Sequence, residues 1–361
     1  MSPREPTHGR APQPPRGGYA RRRKGNEIVQ DASGFGTEEE GQALLACLEA
    51  AVKARLAECA LTANDKNRIQ RCISELQAMV KQMGHEWTLT LFGSVANGFG
   101  VRNSDIDVTC LLRTNGASVE DQSDLLGKKL CPLLREHPDF KVTEEVLYAK
   151  VPILKVKFAD RLDVDLSCHN IQAVQNTLLL RAYSSFDRRV RDLGIAVKLW
   201  AKAAGVCGAS KGYPSSYTFS LLALYFMQVH PHVMLPVLPT SAFEAGRKGG
   251  NDPAVIRACR GWSCPFTLVQ LLVEFFHFYV FIFVWGHEVA SPRLGSRHFA
   301  HESCFQTLRN RWSPRLHVED PYLLDRNLNC VLGDGQEVAL RMALSEALQR
   351  MHIGFSPPGF A

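Results

Sequence analysis

No Cys-x-x-Cys pair occurs among the eleven cysteines, and their closest spacing is Cys259 to Cys264. The cysteines are scattered through apolar runs, and no secretory leader is legible ahead of them. Neither a zinc module nor a disulfide framework is therefore expected; reduced, buried thiols in an intracellular protein fit the pattern. No internal repeat, zinc knuckle or RNA-recognition module is legible. Net charge is nearly absent too, outside one short stretch. Residues 1–25 carry seven basic side chains against Glu5, while the rest holds 35 basic and 35 acidic residues, so the formal charge of +6 belongs to the N-terminus. That stretch, "RAPQPPRGGYARRRKG", is nearly devoid of aliphatic residues and reads as a disordered tail, residues 1–40. Its arginines could screen phosphates, or serve as a nuclear signal or an acid-poor organellar transit segment. The default compartment is the cytoplasm, with nucleus or mitochondrion reachable through the tail.

One long apolar run is present, Phe266 to Trp285, but Glu274 and His277 interrupt it. Its first half has helical spacing, and its second half is rich in aromatic and β-branched residues. The expectation is a core helix running into a strand, with no membrane span.

What remains is a chain of 361 residues with 45% hydrophobic content, enough for two domains with a real core. The pattern is helical over 40–59 and again where Ile69, Ile73, Leu76, Val80 and Met83 mark an amphipathic face closed by Gly84. A strand is predicted over Trp87 to Phe92. "SVANGFG" reads as a turn into a short helix. A second strand runs from Asp105 to Leu112, with Ile106, Val108 and Cys110 facing away from the aspartates. "SDLLGKKLCPLLREH" reads as a helix. Strands follow over 140–147, 151–158 and 161–168, and from Val174 onward the pattern is mostly helical. Residues 236–258 read as a variable surface loop.

The chemistry concentrates in "LFGSVANGFGVRNSDIDVTCLL". Strand side chains alternate, so Asp105 and Asp107 point to one side. Two neighbouring carboxylates repel unless a cation joins them, and hard oxygens suit Mg²⁺ or Mn²⁺. "RLDVDLSC" places Asp163 and Asp165 on one face of another strand, so a third carboxylate could complete a two-metal site. Gly93 permits close backbone approach, and Ser94 begins the turn whose N–H groups can meet phosphate. Lys198 and Lys202 lie one helical turn apart, where both amines can meet a triphosphate, though the spacing alone also fits a solvated face. Ser216 and Tyr217 follow Pro214, so a hydroxyl for phosphate and a ring for base stacking would open the next helix; a cap plus a core aromatic is the alternative.

These motifs resemble the signature of the DNA-polymerase-β-like nucleotidyltransferases, and more narrowly the noncanonical poly(A) polymerase and terminal uridylyltransferase family. "YAKVPILKVKF" with "DVDLS", "NTLLLRAYSSFDRRVRDLGIAVKLWAKAAGV", "YPSSYTFSLLALYFMQ" and "VEDPYLLDRNLNCVL" continue the likeness over about residues 65–350. The resemblance implies an α+β fold: a mixed-sheet nucleotidyltransferase domain over 85–172, a mainly helical poly(A)-polymerase-associated domain over 173–352 joined by helices from 41–84, a cleft between them, and a C-terminal tail over 353–361. It implies that Asp105, Asp107 and Asp165 hold two Mg²⁺ or Mn²⁺ ions, with Asp165 fitting the family pattern better than Asp163. Asp165 would also help activate the 3′-hydroxyl of an RNA primer. Gly93 and Ser94 would cradle the triphosphate, and Asn176 would contact ribose and base. Many uridylyltransferases carry a histidine after the "EDPF" motif that selects uracil. Here the place falls on Arg326, or on Asn327 if the register slips by one. An arginine has donors only and suits uracil O4 better than the adenine amino group. The implied activity is template-independent transfer of UMP from UTP to RNA 3′ ends, with ATP as the alternative nucleotide and an inactive RNA-binding scaffold as a distant third. The partners implied are an RNA 3′ end and a nucleoside triphosphate; no protein partner is indicated.

Overall fold

The computed structural model describes residues 38–112, 121–244, 247 and 249–351. The tail expected over 1–40 lies outside them apart from the backbone of its last three residues, and so does the C-terminal tail. Helix α1 (Glu38–Cys59) is followed by α2 (Ala63–Gln82), whose start is fixed by reciprocal bonds: Asp65 N donates to Thr62 Oγ1 at 3.1 Å, and Thr62 N donates to Asp65 Oδ2 at 2.9 Å. Such a box contributes about 1 kcal/mol. Strand β1 (Trp87–Phe92) leads directly into the short helix α3 (Gly93–Asn97), and β2 is Ile106–Leu112. The helix begins at Gly93 itself and the left-handed turn follows at Gly98, the reverse of the expected order. Helices α4 (Gln122–Asp124) and α5 (Cys131–Glu136) are joined by a π-helical stretch, Leu125–Leu130, where one uninterrupted helix was expected.

Strands β3 (Phe140–Val146), β4 (Ile153–Phe158) and β5 (Leu162–Cys168) complete a five-stranded sheet of order β1-β2-β5-β4-β3. Only β2 and β5 pair in parallel, and their register sets Asp107 beside Asp165. Alternation then buries Ile106, Val108 and Cys110 with Val164, Leu166 and Cys168 on the other face. That core also takes Cys72, Leu76, Met79 and Val80 of α2. The expected boundary after residue 84 is thus corrected. Helix α1 packs on the helical lobe through Leu45, Leu48, Val52 and Leu56, whereas α2 belongs to the sheet. Periodicity announces that a face is buried without saying against what.

The helical lobe contains α6 (Ile171–Phe186), α7 (Arg188–Ala203), α8 (Ser216–Val229), α9 (Pro253–Cys259), α10 (Leu268–His277) and α11 (Asp334–Met351). The strand expected at the end of the long apolar run does not form. Helix α10 continues as a π-helical turn, Phe278–Ile282, and the aromatics Phe275, Phe276, Phe278, Tyr279 and Phe283 fill the lobe's core. Burial of their rings overrides their β-propensity. Among the described residues no helix is long and apolar enough to cross a membrane. An unforeseen pair of two-residue strands, β6 (Val289–Ala290) and β7 (His317–Val318), runs in parallel just before the "EDP" motif. The segment expected as a surface loop over 236–258 also differs: Leu238, Ala242, Phe243 and Val255 are buried in the helical core.

Candidate active site

A cavity of about 730 Å³ lies between the sheet and the helices. Its acidic end is built by β1, β2 and β5. Phe92 stands opposite Asp107 in the ladder, and the chain turns at Gly93 with φ +72°. A Cβ there would fall 1.9 Å from Asp107 Oδ2, so no other residue fits without displacing that carboxylate. Gly93 N donates to Thr177 Oγ1 at 2.9 Å, and that hydroxyl donates to the Ala173 carbonyl at 2.7 Å. Helix α6 thereby pins the turn. Phe92 supplies no side-chain cap to α3, so beyond the Gly93 amide that Thr177 holds, the amides from Ser94 onward are left for an anion.

Asp105, Asp107 and Asp165 all line this end. Burial, then the neighbouring Asp165 and Asp105, pushes Asp107 up to about 7. Burial and Asp105 also raise Asp165, against the pull of Lys155. Three carboxylates gathered at one end of the cavity, two of them raised by burial and by their neighbours, are a fitting set for a divalent cation. Asp163 shares the face of Asp165 on β5 but lies outside the cavity wall, where it pairs with Lys157 at 2.9 Å. The carboxylate that faces the cavity on this strand is Asp165.

Lys198 and Lys202 line the cavity from α7. Lys198 is 2% exposed and donates to the Phe99 carbonyl. Burial, and then Lys202, lowers its ammonium to about 8. Lys198 therefore braces the loop after α3, while Lys202 is exposed. Ser216 lines the cavity, but the cap of α8 is Ser215, which accepts from Thr218 N at 3.3 Å.

The opposite end is a hydrogen-bonded chain. Tyr217 Oη donates to Asn176 Oδ1 at 2.6 Å, and Asn176 Nδ2 donates to Asp320 Oδ1 at 3.3 Å. Asp320 Oδ1 also accepts from Tyr322 N and Leu323 N at 3.0 and 3.2 Å. Asp320 Oδ2 is buried without a hydrogen-bond partner; its nearest cation is Arg326 Nη1, 3.7 Å away. Arg326 lies in the cavity wall. Asn327 is buried elsewhere, accepting from Val318 N at 3.1 Å and meeting His317 Nδ1 at 2.9 Å, so the one-residue slip is not the arrangement found. Sequence reasoning missed Asp320. Its signal was present, as an aspartate six residues before Arg326 inside a quoted motif. Lys150 and Asn170, also in the wall, were missed as well.

Together the mixed sheet, the helical lobe and this cleft make up a polymerase-β-like nucleotidyltransferase fold. A family model described as the mitochondrial-like poly(A) RNA polymerase central palm domain matches residues 48–185, and the Cid1 family poly A polymerase model matches 267–326. Human terminal uridylyltransferase 7 is 30% identical over 280 residues, which cover 71% of this chain and 18% of that protein. Poly(A) RNA polymerase GLD2-B of Xenopus laevis is 32% identical over 234 residues, 62% of this chain and 45% of that one. The chain thus spans less than half of the length of either. Among solved structures, the Cid1 poly(U) polymerase bound to MgGTP aligns with a TM-score of 0.71 at 22% identity, covering 86% of this chain and 96% of that one. A cytoplasmic RNA terminal U-transferase aligns with a TM-score of 0.69 at 21% identity, covering 89% and 96%. The chain belongs to the noncanonical poly(A) polymerase and terminal uridylyltransferase family.

Proposed function

We propose that this chain transfers single nucleotides from a nucleoside triphosphate to the 3′ end of RNA without a template, with UTP as the favoured donor. The observation that carries the reading is the convergence of Asp105, Asp107 and Asp165 beside the Gly93 turn at one end of the cavity. Asp105 and Asp107 would hold two Mg²⁺ or Mn²⁺ ions, and Asp165 one of them. When bound, such ions neutralise developing phosphate charge and acidify a coordinated hydroxyl. The Ser94 end of the Gly93 turn receives the triphosphate, the Gly93 amide itself being held by Thr177, and Lys202 offers it a cation. Asp165 orients the 3′-hydroxyl of the primer for in-line attack on the α-phosphorus, and pyrophosphate leaves. Asn176 and Tyr217, fixed by their mutual bond, frame ribose and base.

Base choice falls to Arg326 and Asp320. Arginine donors suit uracil O4, and the unsatisfied Asp320 oxygen suits uracil N3–H. The same oxygen could accept from the adenine N6 amino group, which together with the likeness to a poly(A) polymerase keeps ATP as the second reading. Purified chain, a short RNA and Mg²⁺ are incubated with each NTP singly. Extension with UTP is expected to exceed that with ATP; extension with ATP alone would establish the second reading, and none with any NTP would defeat both.

A further inference from the structure

Outside the cleft, His298, Glu302 and Cys304 bring three ligand atoms within 4.8 Å of one another. They sit on the loop between β6 and β7. That loop is held by a small core of its own, Val289, Ala300, Phe305 and Leu308, and by two backbone bonds: Val289 N donates to the His298 carbonyl at 3.0 Å, and Ala300 N to the His287 carbonyl at 2.7 Å. Glu302 Oε1 accepts from Phe299 N at 2.6 Å, which fixes the carboxylate. Its other oxygen lies 2.7 Å from His298 Nδ1.

The surrounding bonds hold the imidazole at both nitrogens. Ser296 Oγ lies 3.4 Å from the Leu294 carbonyl, to which its hydroxyl can donate, and 3.0 Å from His298 Nε2. With its proton on Nδ1 the neutral ring donates to Glu302; with the proton on Nε2 it donates to Ser296 Oγ and turns the Nδ1 lone pair toward Glu302. With a thiol at the same point, we propose that the second arrangement takes up a thiophilic divalent ion of the Zn²⁺ class, ligated by His298 Nδ1, Glu302 and the Cys304 thiolate, with water in the fourth position and the ring proton on Nε2. Donors around one such ion stand about 3–4 Å apart, and Cys304 is exposed and free to turn by that much. Binding releases the thiol proton to solvent. The cysteine spacing alone did not suggest zinc, because a His-x₃-Glu-x-Cys set contains no cysteine pair.

The test uses Co²⁺ as the probe on the full chain carrying Asp107→Ala, so that the cleft's carboxylates do not compete. One Co²⁺ per chain is expected, with thiolate-to-metal charge-transfer absorption in the near ultraviolet that Zn²⁺ displaces. Cys304→Ala, at an exposed position, should abolish the band with the circular dichroism spectrum unchanged. Ser296→Ala should weaken binding about 10–100-fold by freeing the ring. A missing band, or one that persists in Cys304→Ala, overturns the site.

Discussion

The two ends of the cleft are made of different material. The acidic end comes from neighbouring strands, and a parallel ladder puts Asp107 level with Asp165. The base end is gathered from α6, α8 and the loop after β7, so Asn176, Tyr217, Asp320 and Arg326 meet across 150 positions of sequence. A ladder cannot slip by one residue without turning every side chain over. A ring of side chains on helices and a loop can change one member at a time. On the proposed reading, chemistry is fixed by backbone and base choice by substitution, which fits a family holding both uridylyltransferases and poly(A) polymerases.

The sharpest way to break that contrast is Asp107→Ala. RNA extension should fall about 10³-fold or more with every NTP alike, with thermal unfolding still cooperative; unchanged extension would remove the carboxylate assignment. Gly93→Ala should follow, with a loss of about 10–100-fold, because the new methyl displaces the Asp107 carboxylate. Arg326→Ala should act differently in kind. The ratio of kcat/KM for UTP over ATP should drop about tenfold, while summed extension is largely kept; a uniform loss across nucleotides would place Arg326 with the acidic end. The smallest effect concerns pH. Asp107 holds its proton up to about 7 in the metal-free fold, whereas an unfolded aspartate loses it near 3.9. Between those values the folded state binds more protons, so metal-free stability falls as pH rises through that window. Asp107→Asn should therefore stabilise the metal-free protein at pH 8 by on the order of 2 kcal/mol once the cleft's solvent access is discounted, read as a Tm difference that vanishes below pH 4. Divalent ions should reverse the ranking.

Strands β1 to β5 were legible to within two residues because alternation and turn residues are local signals. So were Asp105 and Asp107, whose charge on a strand needed a reason. The partner of α2 was not legible, since an apolar stripe carries no address. The aromatic run after His277 was misread because ring-on-ring packing in a helical core leaves the composition of a strand. Asp320 was overlooked because its role depends on burial and on an unmatched oxygen, neither of which a sequence displays. Lys198 was read as a phosphate ligand through the family resemblance, since its spacing from Lys202 also fits a solvated face; its bond to the Phe99 carbonyl came only with the fold.

Phe99 belongs to the stretch that links the Gly93 turn to Asp105, yet its ring is buried in the helical core against Gly194, where a Cβ would come within 2.5 Å of the ring. Part of the sheet lobe's own chain is in this way plugged into its neighbour. The halves are consequently poor modules. A chimera that takes its sheet from one relative and its helices from another must cut around residues 93–104 and carry them with the helices, or it will open a ring-sized hole beneath α7.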